Sequence, residues 1–156
     1  MKIIQGNHEG MARIMNETEI NKFLESKTNL HLATIDEKGE PNIQPVWFYY
    51  DKEHEKIHIS TSKESRKVEN IRKKPRIYFS VDEDKFPYRC VKGKGTAIIS
   101  EDISKNIPNV EKICIKYLGS LEDSSSKMLV DLAKNGASVV LEVTPSFYST
   151  WDFSKI

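Results

Sequence analysis

Ser60-Thr61-Ser62-Lys63-Glu64-Ser65-Arg66-Lys67, running on through Val68-Glu69-Asn70-Ile71 to Lys74-Pro75-Arg76, decides how this chain is read. Before it, Ile57 and Ile59 alternate with His58 and Ser60, the period of a strand over Lys56–Thr61. After it, Val68 and Ile71 stand three apart on one helical face, and Pro75 stops the helix, which gives a helix over 63–74. A helix start leaves N–H groups unpaired and carries a partial positive charge. The hydroxyls of Ser60, Thr61, Ser62 and Ser65 and the cations Arg66 and Lys67 gather at that start, as an anion site requires. Arg66 offers a planar fork and Lys67 a point charge to a phosphate monoester, which is close to a dianion near pH 7 because its second pKa is about 6. Residues 63–76 hold seven basic and two acidic groups, so the segment carries 7 − 2 = +5 in a chain of net +1. A plainer arrangement fits the same spacing: Thr61 or Ser62 caps the helix, and the cations lie on its wet face.

Working outward, Asn16 precedes Ile20, Phe23 and Leu24, with Glu19 three residues on, the pattern of a capping box on a helix over about 17–26. Leu30–Ile35 reads as a strand, and Asp36-Glu37-Lys38-Gly39 as a turn in which Gly39 takes positive φ. Asn42–Tyr50 is strongly β-prone and reads as one strand, placed at an edge, a bulge or a strand start by Pro41 and Pro45. Arg76–Val81 and Tyr88–Ser100 follow as strands, with Gly93 and Gly95 marking a bulge or a close backbone approach. Helices are expected at 104–118 and 124–134, within a helical segment over 101–135, and a closing strand over 137–148. Residues 1–15 lack periodicity and read as a loosely tied arm. Antiparallel meanders with helices at their ends make an α+β barrel in one domain spanning 1–156.

The quoted segment resembles the flavin phosphate signature of the pyridoxamine 5'-phosphate oxidase-like proteins: a Thr, then Ser-Arg-Lys four residues later, then a helix ending in an Asn-Pro-Arg-like triplet. Leu32-Ala33-Thr34-Ile35-Asp36 through Gly39-Glu40-Pro41 and Pro45-Val46-Trp47-Phe48 resembles that family's first hairpin. Tyr88-Arg89-Cys90-Val91 through Gly93-Lys94-Gly95 resembles its strand along the isoalloxazine ring. The likeness spans roughly residues 17–100 and implies a mainly antiparallel FMN-binding split β-barrel with peripheral helices. It also implies a homodimer, with one cofactor at each of two subunit interfaces. Carried over by position, Ser60, Thr61, Ser62, Ser65, Arg66 and Lys67 hold the phosphate and ribityl end, and Gln44, Pro45, Val46 and Trp47 run along the ring. Arg89 and Cys90 stand where the oxidase has Arg-Gln. The departures also count: neither Gln44–Tyr50 nor the C-terminal Ser149–Ile156 carries the arginines with which the true oxidase binds its vitamin phosphate. The expected activity is therefore a flavin-dependent oxidoreductase acting on a small molecule, with no catalytic side chain assigned. A deazaflavin (coenzyme F-420) is the close variant, Lys63, Lys73 and Lys74 meeting its acidic tail. A non-enzymatic flavin carrier or sensor is the alternative from a different class.

Composition narrows the rest. A net charge of +1 gives no global field for nucleic acid, although the basic helix and the aromatic run Trp47–Tyr50 would serve one. There is no apolar run of bilayer length, and the polar start Met1–His8 is no signal peptide, so a cytoplasmic protein is expected. Cys90 and Cys114 read as buried free thiols, and His31, His54 and His58 show no ligand spacing for a metal. Trp151 and Phe153 read as exposed aromatics that reach a partner subunit.

Overall fold

The structure is a computed structural model and describes residues 1–4 and 14–155. Its elements run β1 (Ile3–Ile4), α1 (Glu17–Leu24), β2 (Leu30–Ile35), β3 (Pro41–Val46), β4 (Tyr49–Asp51) and β5 (Lys56–Ser62). They continue with α2 (Arg66–Lys73), β6 (Arg76–Asp82), β7 (Arg89–Ser100), α3 (Ile103–Leu118), α4 (Ser124–Lys134) and β8 (Ser138–Asp152). The strand order is β3-β2-β6-β7-β8-β5-β4, every neighbouring pair antiparallel, with β1 parallel to β8. β3 and β4 are the two ends of that path, yet only Trp47 and Phe48 join them. Three Cα–Cα steps reach about 11 Å. The sheet must therefore curl until its first and last strands meet, which makes the expected α+β split barrel.

That closure corrects one expectation. Asn42–Tyr50 is not one strand; it breaks at Trp47–Phe48, where the chain crosses the split. Phe48 turns fully into the core, a burial that contributes about 1.5–3 kcal/mol. Trp47 turns outward and stacks on Tyr117 of α3, centroids 4.7 Å apart. The Tyr117 hydroxyl donates to the Thr28 carbonyl at 2.7 Å and lies 3.4 Å from the Phe48 N–H. Pro41 and Pro45 lie on an edge strand, as a residue without an N–H requires.

The barrel interior is filled by the period-2 faces of its strands, Leu30 and Leu32, Ile57 and Ile59, Ile77, Phe79 and Val81, Leu141 and Val143. α3 and α4 build a second cluster on the outer face of β8, where Val110, Cys114, Val130 and Ala133 meet Val140. Both cysteines are free and buried. Asn16 and Glu19 form the expected capping box, the side chain of each bonding the other's backbone N–H, at 3.0 and 2.7 Å. The arm is pinned at both described ends: the Met15 N–H donates to Thr150 Oγ1 at 2.8 Å, and Tyr148 N to the Lys2 carbonyl at 2.8 Å. Met15 itself is buried, so these residues are tied into β8 rather than loose; the arm's residues 5–13 lie outside the described residues. Trp151 and Phe153 are only half-buried. No helix among the described residues is long and apolar enough to cross a membrane.

β7 and β8 cross so closely that two of their positions admit only glycine. A Cβ on Gly93 would sit 2.5 Å from the Phe147 carbonyl oxygen and 2.7 Å from the Phe79 ring; one on Gly95 would sit 2.5 Å from the Thr144 carbonyl oxygen. The register shift between Lys94 and Gly95 is the expected bulge. Gly95→Ala forces backbone against backbone and is expected to destabilise by about 1–3 kcal/mol in urea unfolding. Met128→Ala, exposed on α4, serves as the control and should leave the midpoint within about 0.5 kcal/mol.

Candidate functional site

α2 closes one end of the barrel. Val68 and Ile71 are buried in the main core, and Asn70 Nδ2 donates to Thr34 Oγ1 of β2 at 3.0 Å, a buried bond that fixes the helix's rotation. The helix begins at Arg66, later than expected, because Lys63–Ser65 form a tight turn in which the Ser65 N–H bonds the Ser62 carbonyl. Ser65 stands at the N-cap with extended backbone, yet its side chain caps nothing. Thr61 and Ser62 do not cap the helix either. Thr61 Oγ1 bonds Ser65 Oγ at 3.4 Å and accepts from Lys67 Nζ at 2.9 Å; Ser62 Oγ accepts from the Glu64 N–H at 3.3 Å. Capping by Thr61 or Ser62 is thereby excluded, while Arg66 does lie on the wet face, and two hydroxyls and an ammonium converge beside an uncapped helix start.

Charge at this point is unbalanced in a specific way. Lys63 and Arg72 share Glu101, and Lys73 pairs with Glu37 and Glu69. Lys74 donates to the Asp36 carbonyl. Lys67 has no carboxylate partner among the described residues, and burial pushes its pKa down from 10.5. Arg66 also makes no ion pair; it is exposed and lines a small polar cleft, about 220 Å3, between α2 and the β2–β3 turn. A half-buried cation held only by a hydroxyl is a costly arrangement that an arriving anion would relieve.

The other residues singled out from the sequence fall in three places. Ser60 and Ser62 lie on the face of β5 opposite to Thr61, by strand alternation. Gln44 and Val46 share a face of β3 with Asn42, whose ladder partner Thr34 receives the Asn70 bond, so this face is the one α2 covers. Pro45 points to the outer face; Val46 packs its side chain on the core, and Trp47 is held on Tyr117.

Arg89 and Cys90 lie elsewhere. Ser100, at the other end of β7, pairs with Val140, which pairs with Ser60 of β5. Eleven residues of strand, roughly 35 Å, separate Arg89 from that end. One chain therefore does not bring Arg89 and Cys90 to Thr61 and Lys67. Arg89 clamps the β6–β7 hairpin through both oxygens of Glu83 and lies over the Phe23 ring at 5.3 Å. Cys90 is buried against Ser80, and burial raises its pKa to about 11, so it is no thiolate at neutral pH.

His58 does point away from Ile57 and Ile59, but it is buried, with Tyr49 stacked on it and α3 packed on β5. Desolvation lowers its pKa and keeps it neutral near pH 7. No group of three or more His, Cys, Asp or Glu among the described residues is arranged to hold a metal. Sequence reasoning missed Asn70 as the residue that sets α2 against β2; an Asn beside the apolar Val68 and Ile71 of the helix face was its only signal.

Comparison with known sequence families matches residues 17–152 to pyridoxamine 5'-phosphate oxidase. The chain belongs to the pyridoxamine 5'-phosphate oxidase family. Its fold recurs in a conserved hypothetical protein from Mycobacterium tuberculosis, 26% identical, with a TM-score of 0.80 over 96% of this chain and 92% of that one. An F420 reductase is 25% identical, with a TM-score of 0.66 over 83% of this chain and 94% of its own. The heme storage protein HutZ from Vibrio cholerae, at 18% identity and a TM-score of 0.66 over 85% and 92%, shares the fold. No curated protein matches the sequence.

If the cluster is an anion site, phosphate should stabilise the protein by mass action. Inorganic phosphate is expected to raise the melting temperature of the wild type and not that of Lys67→Met. The sign with pH follows from the lowered pKa: Lys67 attracts the anion only when protonated, so its share of the shift shrinks as pH rises through that pKa. An equal shift in Lys67→Met would place the anion elsewhere.

Proposed function

We propose that this protein binds a flavin mononucleotide by its phosphate at Thr61, Ser65, Arg66 and Lys67 and serves as an oxidoreductase on a small molecule. The observation that carries the reading is Lys67, a half-buried cation bonded only to a hydroxyl, at the uncapped start of α2. Family membership and the Thr61-to-Lys67 spacing agree with it. The bound flavin would supply the hydride chemistry. The chain's own part is to hold the phosphate by charge, to hold the ring by the backbone from Gln44 on β3 to Trp47 in the link after it, and to exclude water from both.

Arg89 and Cys90 enter this reading only through a second copy, because their own chain keeps them roughly 35 Å of strand away from the cradle. The outer face supports a homodimer. Ile43, 66% exposed, and Tyr78, 52% exposed, flank Ala33 in one row across β3, β2 and β6. An exposed apolar row on an open sheet face is the kind of surface a second copy covers.

A deazaflavin is the second reading, favoured by the 25% identity to an F420 reductase. Two cations that would meet its longer acidic tail, Lys63 and Lys73, are already paired with carboxylates, which favours the shorter cofactor.

The visible spectrum of the purified protein tests both. Uptake of FMN with flavin bands supports the first; failure to take up FMN, with uptake of F420 and its shorter-wavelength band, replaces it with the second. Replacing Arg66 and Lys67 together by Ala removes two charge-assisted contacts worth roughly 3–6 kcal/mol, a hundredfold or more in FMN affinity. Unchanged affinity would show the phosphate to be misplaced. Sedimentation should give a dimer for the wild type and a monomer with weakened FMN binding for Tyr78→Lys; a dimeric Tyr78→Lys with intact affinity would reject the interface.

A further inference from the structure

A second cleft, of about 530 Å3, lies between the end of α1, β4 and α3. None of its lining residues belongs to the cradle. Its walls are apolar, formed by Leu24, Tyr49 and Ile115, while Lys27, Lys52, Lys112 and Lys116 line it too and Glu25 is the one acid. Glu25 is already taken by Lys52 at 3.1 Å. Lys27, Lys112 and Lys116 make no ion pair among the described residues. Lys112 hangs over the Tyr49 ring, 4.8 Å from its centroid. Lys116 is the deeper group: its ammonium lies 3.5 Å above the Phe48 ring and donates to the Leu24 carbonyl at 3.0 Å.

Burial drives the Lys116 pKa down from 10.5 to about 7, with Glu25 opposing the shift. The other titratable groups around the cleft do not supply an anion. Asp51 of β4 is bonded to His54, and His58 of β5, behind Tyr49, is kept neutral by burial. A desolvated lysine in a cleft, without an ion pair of its own, is a candidate to meet a ligand that brings the charge. The volume is that of a small-molecule site, and the apolar walls fix the ligand's body.

We propose that this cleft binds a monocarboxylate with an apolar body, such as a medium-chain fatty acid, its carboxylate between Lys116 and Lys112 and its chain along Leu24, Tyr49 and Ile115. A bare phosphate would leave those walls wet, and a neutral lipid would leave the cations unpaired. The bound carboxylate raises the Lys116 pKa, so above neutral pH the amine takes up a proton from solvent on binding. Trp47, stacked on Tyr117 next to Lys116, reports occupancy by its fluorescence.

The test is calorimetric titration of the full chain with octanoate at pH 8, in buffers of different ionisation enthalpy, with octanol and inorganic phosphate in parallel. Saturable octanoate binding with net proton uptake and a change in Trp47 emission is expected. Octanol and phosphate should bind at least tenfold more weakly. Lys116→Met keeps the apolar stem and removes the amine; it should weaken octanoate roughly tenfold or more and abolish the proton uptake. Lys112→Gln, an exposed change that leaves the fold alone, should weaken binding while keeping the uptake. Lys67→Ala should change neither. Equal binding of octanol, absence of proton uptake in the wild type, unchanged affinity in both the Lys116 and Lys112 variants, or displacement of octanoate by phosphate would each overturn the proposal.

Discussion

The two-residue link between β3 and β4 is the constraint from which the rest of the structure follows. It ties together strands that stand at opposite ends of a seven-strand path, so the sheet has no choice but to close. A closed sheet without ladder bonds across the split leaves backbone groups there in need of partners. α3 supplies one: the Tyr117 hydroxyl reaches both the Thr28 carbonyl and the Phe48 N–H, and its ring receives Trp47. The same helix carries Lys116 over Phe48, so the clasp that seals the split also lines the cleft beside it. The Trp47–Tyr117 stack contributes about 0.5–1.5 kcal/mol beyond its buried area.

At the other end of the barrel, packing and charge act in opposition. Val68, Ile71 and the Asn70–Thr34 bond seat α2 firmly, and that seating carries Lys67 into partial burial. Lys63, Arg72 and Lys73 are neutralised by Glu101, Glu37 and Glu69, but among the described residues no carboxylate pairs with Lys67 or with Arg66 beside it. A chain that balances its charge so carefully one turn away, and leaves it unbalanced here, concentrates positive potential at one point. Apolar burial of α2 offsets the desolvation of that ammonium; an anion would remove the need.

Much of this is legible in the sequence. The strands at 30–35 and 56–61, the helices near 104–118 and 124–134 and the capping box at Asn16 follow from period and cap chemistry, and the structure agrees to within a residue or two. What the sequence could not carry is what covers a face. Alternation says that His58 opposes Ile57, but not that Tyr49 and α3 bury it. β-propensity is uniform across Asn42–Tyr50, so nothing local marks the break at Trp47–Phe48; only the global closure does. The arm at 1–15 shows no period because its described ends are short: a two-residue pairing of β1 with β8 and the single bond from the Met15 N–H to Thr150 Oγ1 leave too few residues for a side-chain pattern.

The candidate site shows the same limit more sharply. Motifs in the right order along a chain are not thereby neighbours in space. Thr61, Ser65 and Lys67 meet, because a strand–turn–helix folds locally and its hydroxyls and cation are six residues apart at most. Gln44 and Val46 share the face α2 covers, because β3 pairs with β2 and Asn70 binds β2. Arg89 and Cys90 do not join them, because antiparallel pairing of β7 with β8 sends that end of the strand away from the cradle. A ligand that touches both ends must lie between two chains. In the proposed homodimer, the exposed row at Ile43 and Tyr78 would be covered by the second copy.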